Sequence, residues 1–165
     1  MNVTDSVTGL YCSTYFNSKL EDEYQHALRY ESPLSLSLIN VDNFKEITDS
    51  LGRDAVDSYM RALATLIQKT IRKVDIAACF RGEEVAIIMP HTTGECALVQ
   101  AERLREKIAA LKVTFELHTV HSTISTGVAA LNLDAGMTAD GLLDSARRAL
   151  KSAKEAGVNH VLAQG

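Results

Sequence analysis

A chain of 165 residues, 46% of them hydrophobic and 23% charged, carries enough apolar material for one core that needs neither disulfides nor a structural metal. Its formal net charge of −4 excludes broad nucleic-acid binding, which requires a basic face to displace counterions from a phosphate backbone, so any nucleotide it holds is expected to be small. Cys12, Cys79 and Cys96 are widely spaced with no CxxC pair, no apolar run approaches the ~20 residues that cross a bilayer, and the N-terminus lacks a signal-peptide layout; a reducing cytosol is the expected setting.

Ser13 to Glu31 places Tyr15, Phe16, Leu20, Tyr24, Ala27 and Leu28 at helical spacing before Pro33 stops the helix. Leu34 to Val41 is a short apolar run alternating with Ser35 and Ser37 and ending in polar residues, as a strand feeding a site at its C-terminal end would. Asp54 to Arg72 returns to helical periodicity through Val56, Met60, Leu63, Ala64, Ile67 and Ile71. Ile76 to Phe80 and Val85 to Met89 read as a β-hairpin across Arg81-Gly82-Glu83-Glu84. Gly94 to Leu111 is a further helix and Val113 to Ala130 a β-rich stretch. Within it, His118 and His121 point to opposite strand faces, which favours surface positions over a metal site. Thr123 to Leu131 is a strand, Thr138 to Ala156 a helix closed by Gly157, and Val158 to Leu162 a last short strand. The order is a split βαβ arrangement, an antiparallel-containing sheet with helices expected on one side.

Several strings, in order, carry a family resemblance. Asp5-Ser6-Val7-Thr8-Gly9-Leu10-Tyr11 looks like D-x-L-T-G-L-Y, and Leu38-Ile39-Asn40-Val41-Asp42-Asn43-Phe44-Lys45 like L-I-D-I-D-x-F-K. Asp49 to Asp57 looks like D-x-x-G-H-x-x-G-D, Arg81-Gly82-Glu83-Glu84-Val85 like a hairpin signature, Ser125-Thr126-Gly127-Val128-Ala129 like S-I-G-V-A, and Ala149 to Asn159 like A-L-Y-x-A-K-x-x-G-R-N. Together they resemble the GGDEF family of diguanylate cyclases. The resemblance implies an α/β chain folded as an α+β sandwich: a palm-like cyclase fold whose central mixed sheet has a βαββαβ core surrounded by helices. It implies one GGDEF domain over residues 1–165, belonging to a longer signalling protein. The family condenses two GTP molecules into cyclic di-GMP across an antiparallel pair of domains.

That reaction needs carboxylates to hold divalent metal, which neutralises triphosphate charge and activates a ribose hydroxyl. The resemblance assigns metal binding to Asn40, Val41 and Glu83, and catalysis to Glu83 and Glu84. Asn40 is an amide where the family has a carboxylate, so the set is expected to be insufficient and Mg²⁺ to enter only with GTP. The implied GTP contacts are Asn40, Val41, Phe44, Lys45, Thr48, Asp57, Arg81, Gly82 and Lys154. They carry departures: Thr48 for a guanine-reading Asn, Arg53 for His, Val56 and Arg81 for glycines, and Val158 for Arg. Singly, each retained residue has a plainer reading: Asp57 as a first-turn helix acid, Lys45 and Lys154 as solvated charges, Glu84 in a salt bridge.

Arg72-Lys73-Val74-Asp75 lies five residues before the hairpin motif, where the family has its R-x-x-D inhibitory site, and Arg103 on the next helix matches that site's third member, with Arg105 a weaker candidate. An arginine fork suits a phosphate or a guanine Hoogsteen edge, and a carboxylate accepts from guanine N–H groups. The plainer reading is an ion pair at a helix end. The expectation is a cyclic di-GMP-binding signalling domain with a degenerate cyclase site, a ligand-linked homodimer. Two alternatives stand beside it: a weak diguanylate cyclase, and a GTP-sensing or protein-interacting relic.

Overall fold

The computed structural model describes residues 3–164, and of Arg81 the backbone only. The first helix, α1 (Ser13–Tyr30), buries Phe16, Leu20 and Ala27; Glu31 in left-handed conformation ends it. β1 (Leu34–Val41) follows, then α2 (Phe44–Leu51) and α3 (Arg53–Thr70). The sequence pattern predicts only α3. Gly52, at φ 89°, breaks the path between the two helices, a conformation glycine adopts without the steric cost of a β-carbon. β2 (Ile76–Arg81) and β3 (Glu84–Pro90) form the hairpin. Pairing runs Cys79↔Val85 then Arg81↔Glu84, so Phe80 is a bulge, and its ring packs edge-on against Phe16.

α4 (Gly94–Ala109) is capped by the Thr93 hydroxyl, which accepts from the Cys96 N–H at 3.3 Å. β4 (Lys112–Phe115) and β5 (His118–His121) pair only with each other; His118 and His121 are both exposed on β5. β6 (Ile124–Ala130), α5 (Ala139–Glu155) and β7 (Val161–Gln164) complete the chain. β7 starts three residues later than the pattern predicts, because Val158 and Asn159 both have positive φ and turn the chain before it can extend.

The main sheet runs β2-β3-β1-β6-β7, antiparallel except for the β6–β7 pair. The α3 crossover connects β1 to β2 with β3 between them, the split arrangement. Helices cover both faces, not one. α3 and α4 pack on Ile39, Val41, Val85, Ile87 and Val128, while α1 and α5 pack on Leu36, Leu38, Ala86 and Ile88. β1 is thus buried on both sides, and its serines face protein: Ser35 donates to the Thr92 carbonyl at 2.8 Å. No described helix is long and apolar enough to cross a membrane.

Candidate functional site

The C-terminal end of β1 meets the hairpin turn, where the Val41 N–H donates to the Glu83 carbonyl at 3.0 Å. Asn43, at φ 56°, turns the chain into α2. The bend is fixed from below by Asp42. Its buried carboxylate accepts from the Thr123 hydroxyl at 2.5 Å, the Ser125 hydroxyl at 2.7 Å and the Asn159 N–H at 2.9 Å. Sequence reasoning assigns Asp42 no role, since its partners lie over eighty positions away. Asp42→Ala strips three donors of their acceptor and is expected to destabilise the domain by about 2–4 kcal/mol, read from a urea unfolding midpoint.

Two adjoining cavities flank the turn. One, of about 290 Å³, is lined by Asn40, Val41, Phe44, Lys45, Glu83, Lys154 and Val158 among others. The other, of about 400 Å³, is lined by Phe44, Arg53, Asp57, Gly82 and Glu83 among others. Glu83 and Phe44 border both. Most of the implied nucleotide contacts therefore converge, with exceptions. Thr48 lines neither cavity, and its hydroxyl donates to the Phe44 carbonyl one turn back at 2.8 Å. Arg53 lies 3.6 Å from the Asp57 carboxylate, a solvated pairing. The Arg81 side chain lies outside the described residues. Glu84, paired with Asn40 in the ladder, lies on the α5 face of the sheet and lines neither cavity; there Arg147 of α5 donates to both its oxygens, at 3.0 and 3.3 Å.

These residues do not fit a metal site of the cyclase kind. Asn40 brings a neutral oxygen where a carboxylate is needed, and Glu84 is held by Arg147, which leaves Glu83 to supply the negative charge.

The second locus lies where α3 ends. The helix stops at Thr70, two residues earlier than the pattern predicts, and Ile71 is extended. Arg72 to Asp75 forms a tight turn: the Asp75 N–H donates to the Arg72 carbonyl at 3.0 Å, and the Asp75 carboxylate accepts from the Arg72 N–H at 2.9 Å. The guanidinium folds back on the same carboxylate, with Nη2 at 2.9 Å from Oδ1, and also donates to the Pro90 carbonyl at 2.9 Å and to the Thr92 hydroxyl. Gln100 of α4 donates to Asp75 Oδ2 at 2.9 Å. The Asp75 side chain is fully buried, 0% exposed, whereas Arg72 keeps 49% of its side chain open. The buried acid thus fixes the rotamer of a half-open arginine.

That arginine borders a cavity of about 320 Å³, lined also by His91, Thr92, Cys96, Gln100 and Arg103. Arg72 and Arg103, predicted from sequence, come together here; Asp75 sits beneath the floor. Arg105 points elsewhere, to Glu102 and Asn159. Gln100 is a lining residue that sequence reasoning misses. Its Oε1 is buried without a hydrogen-bond partner.

A family model described as "Diguanylate cyclase, GGDEF domain" matches residues 2–160. The response regulator PleD of Caulobacter vibrioides is 34% identical over 162 residues, which is 97% of this chain and 36% of that protein. The probable diguanylate cyclase DgcC of Escherichia coli is 34% identical over 159 residues, 96% of this chain and 42% of that protein. The chain thus spans less than half the length of these curated relatives. Among solved structures, the GGDEF domain of DgcB from Caulobacter crescentus in complex with c-di-GMP superposes with a TM-score of 0.93 at 24% identity, covering 98% of this chain and 93% of that one. The active GGEEF domain of a diguanylate cyclase from Vibrio cholerae superposes with a TM-score of 0.83 at 29% identity, covering 90% and 93%.

Proposed function

The chain belongs to the GGDEF family of diguanylate cyclase domains, and from that premise we propose that it is a receptor domain for cyclic di-GMP with a silent cyclase site. The observation that carries this reading is the contrast between the two loci. At the α4 cavity, Arg72 and Arg103 face one space and Arg72 is locked by a buried acid. At the signature cleft, one carboxylate is missing and another is bound to arginine.

The chemistry follows from the side chains present. Two guanidinium groups suit phosphodiester oxygens and the Hoogsteen edge of guanine. Asp75 acts as a positioning residue: its oxygens are engaged by Arg72 and Gln100, so it presents the arginine to the ligand. Gln100, which lines the cavity and donates to Asp75, belongs to the same positioning network. The cavity is small for a whole cyclic dinucleotide, so part of the ligand protrudes and is available to a second copy of the domain, giving a ligand-linked homodimer.

A second reading, GTP held without turnover, is favoured by Lys45 and Lys154 on one side of Glu83 and by Asp57 on the other. Competition separates the two. With fluorescent cyclic di-GMP bound, excess GTP with Mg²⁺ is expected to displace none of it, while Arg103→Ala weakens it about tenfold through loss of one charged contact. Displacement by GTP, or an unaffected Arg103→Ala protein, would place the ligand elsewhere.

A further inference from the structure

Asn40 and Glu84 stand directly opposite one another in the β1–β3 ladder, so their side chains share one face, with β-carbons about 5 Å apart. α5 covers that face, and from it Arg147 reaches Glu84 with two N–H···O bonds, Nη2 to Oε1 at 3.0 Å and Nη1 to Oε2 at 3.3 Å. The Glu84 side chain is only 13% exposed, and Arg147 is 49% exposed. A carboxylate this sheltered keeps its charge at least cost beside a cation, and a paired guanidinium occupies both of its oxygens.

We propose that Arg147 is a built-in hindrance at the signature site: it takes up Glu84 and sets a positive charge near residue 40, so that divalent cations are held more weakly than Glu83 and a restored first-strand carboxylate would otherwise hold them. The hindrance has two parts. Glu84 cannot turn to a metal without giving up both N–H···O bonds from Arg147. An aspartate introduced at position 40 would stand about 5 Å from Glu84 in the same register and be drawn into the Arg147 pair rather than left to a metal. Loss of the acid at position 40 and the Glu84–Arg147 pair therefore reinforce each other, and reversing either alone leaves the other in force. This rests on the reading of the signature cleft as silent and not on the α4 cavity.

The test is Mn²⁺ titration, followed by electron paramagnetic resonance, in the presence of a GTP analogue carrying a non-hydrolysable α,β-methylene bridge. Asn40→Asp is compared with Asn40→Asp/Arg147→Met and, should methionine perturb α5, with Asn40→Asp/Arg147→Gln. Removing the arginine is expected to strengthen Mn²⁺ binding by about threefold or more in the Asn40→Asp background, since it removes a competing cation and releases an anion. The gain is expected to shrink but not vanish when Glu84→Gln is added, because Arg147 still competes for the aspartate at position 40. No gain on removing the arginine, or a gain of the same size with and without Glu84→Gln, would overturn the proposal. Cyclic di-GMP titration of the same proteins reads the receptor assignment separately, because the α4 cavity is untouched in all of them.

Discussion

Gly127→Ala is expected to cost the domain most of its stability. Gly127 lies on β6 opposite Leu38, facing α5, whose buried side is Ala146, Ala149 and Ala153 with Leu142 and Leu150. Small residues let the helix sit directly on the strand. A β-carbon at position 127 would overlap the Leu150 nitrogen and the Ala146 carbonyl oxygen and stand 2.7 Å from Leu150 Cα. All three are helix backbone atoms, which cannot swing aside as a side chain can, so α5 as a whole must lift. Overpacking of this kind is worth at least about 3 kcal/mol, a large part of the total stability of a domain this size. Urea unfolding read by circular dichroism measures it. A midpoint unchanged from the parent would mean that α5 rides more loosely on β6 than its backbone contacts indicate.

Arg72→Ala is expected to weaken cyclic di-GMP binding by about 100-fold or more, the consequence of deleting a forked, charge-assisted contact whose geometry is fixed before the ligand arrives. The same change leaves the buried Asp75 carboxylate with the Gln100 amide and the backbone N–H of residue 72 as its donors. Some loss of melting temperature should accompany the loss of binding. Arg72→Lys keeps the charge but has a single nitrogen in place of the fork, and once that nitrogen is taken up by Asp75, Pro90 and Thr92, as Nη2 is, none is left for the ligand, so it should recover little affinity. Measuring melting and affinity on both variants separates the positioning network from the ligand contact.

Much of this architecture is readable in the chain because the elements are locally strong. The 3.6-residue period through Val56, Met60, Leu63 and Ile67 marks α3, the apolar run from Leu34 marks β1, and both lie where expected. The family strings brought Arg72 and Arg103 into one site although thirty-one positions separate them, and the cavity between them follows the α3-to-β2 turn meeting α4. What stayed hidden depends on contacts that no local pattern encodes. Whether helices cover one face of the sheet or both is decided by tertiary packing, and β1 is buried on both sides although it carries Ser35 and Ser37. The burial of Asp75 beneath its own arginine depends on Gln100 arriving from α4. The capture of Glu84 depends on Arg147, sixty-three positions away. The shift of β7 comes from two residues, Val158 and Asn159, in a left-handed backbone region that asparagine tolerates but β-branched valine does not favour.

The receptor reading is tested most directly by calorimetric titration of nucleotide-free protein with cyclic di-GMP, the parent and Arg72→Ala side by side. Saturable binding at micromolar concentrations or below in the parent, and no measurable heat from the variant, is the predicted result. Absence of binding by the parent, or equal binding by both proteins, would contradict it.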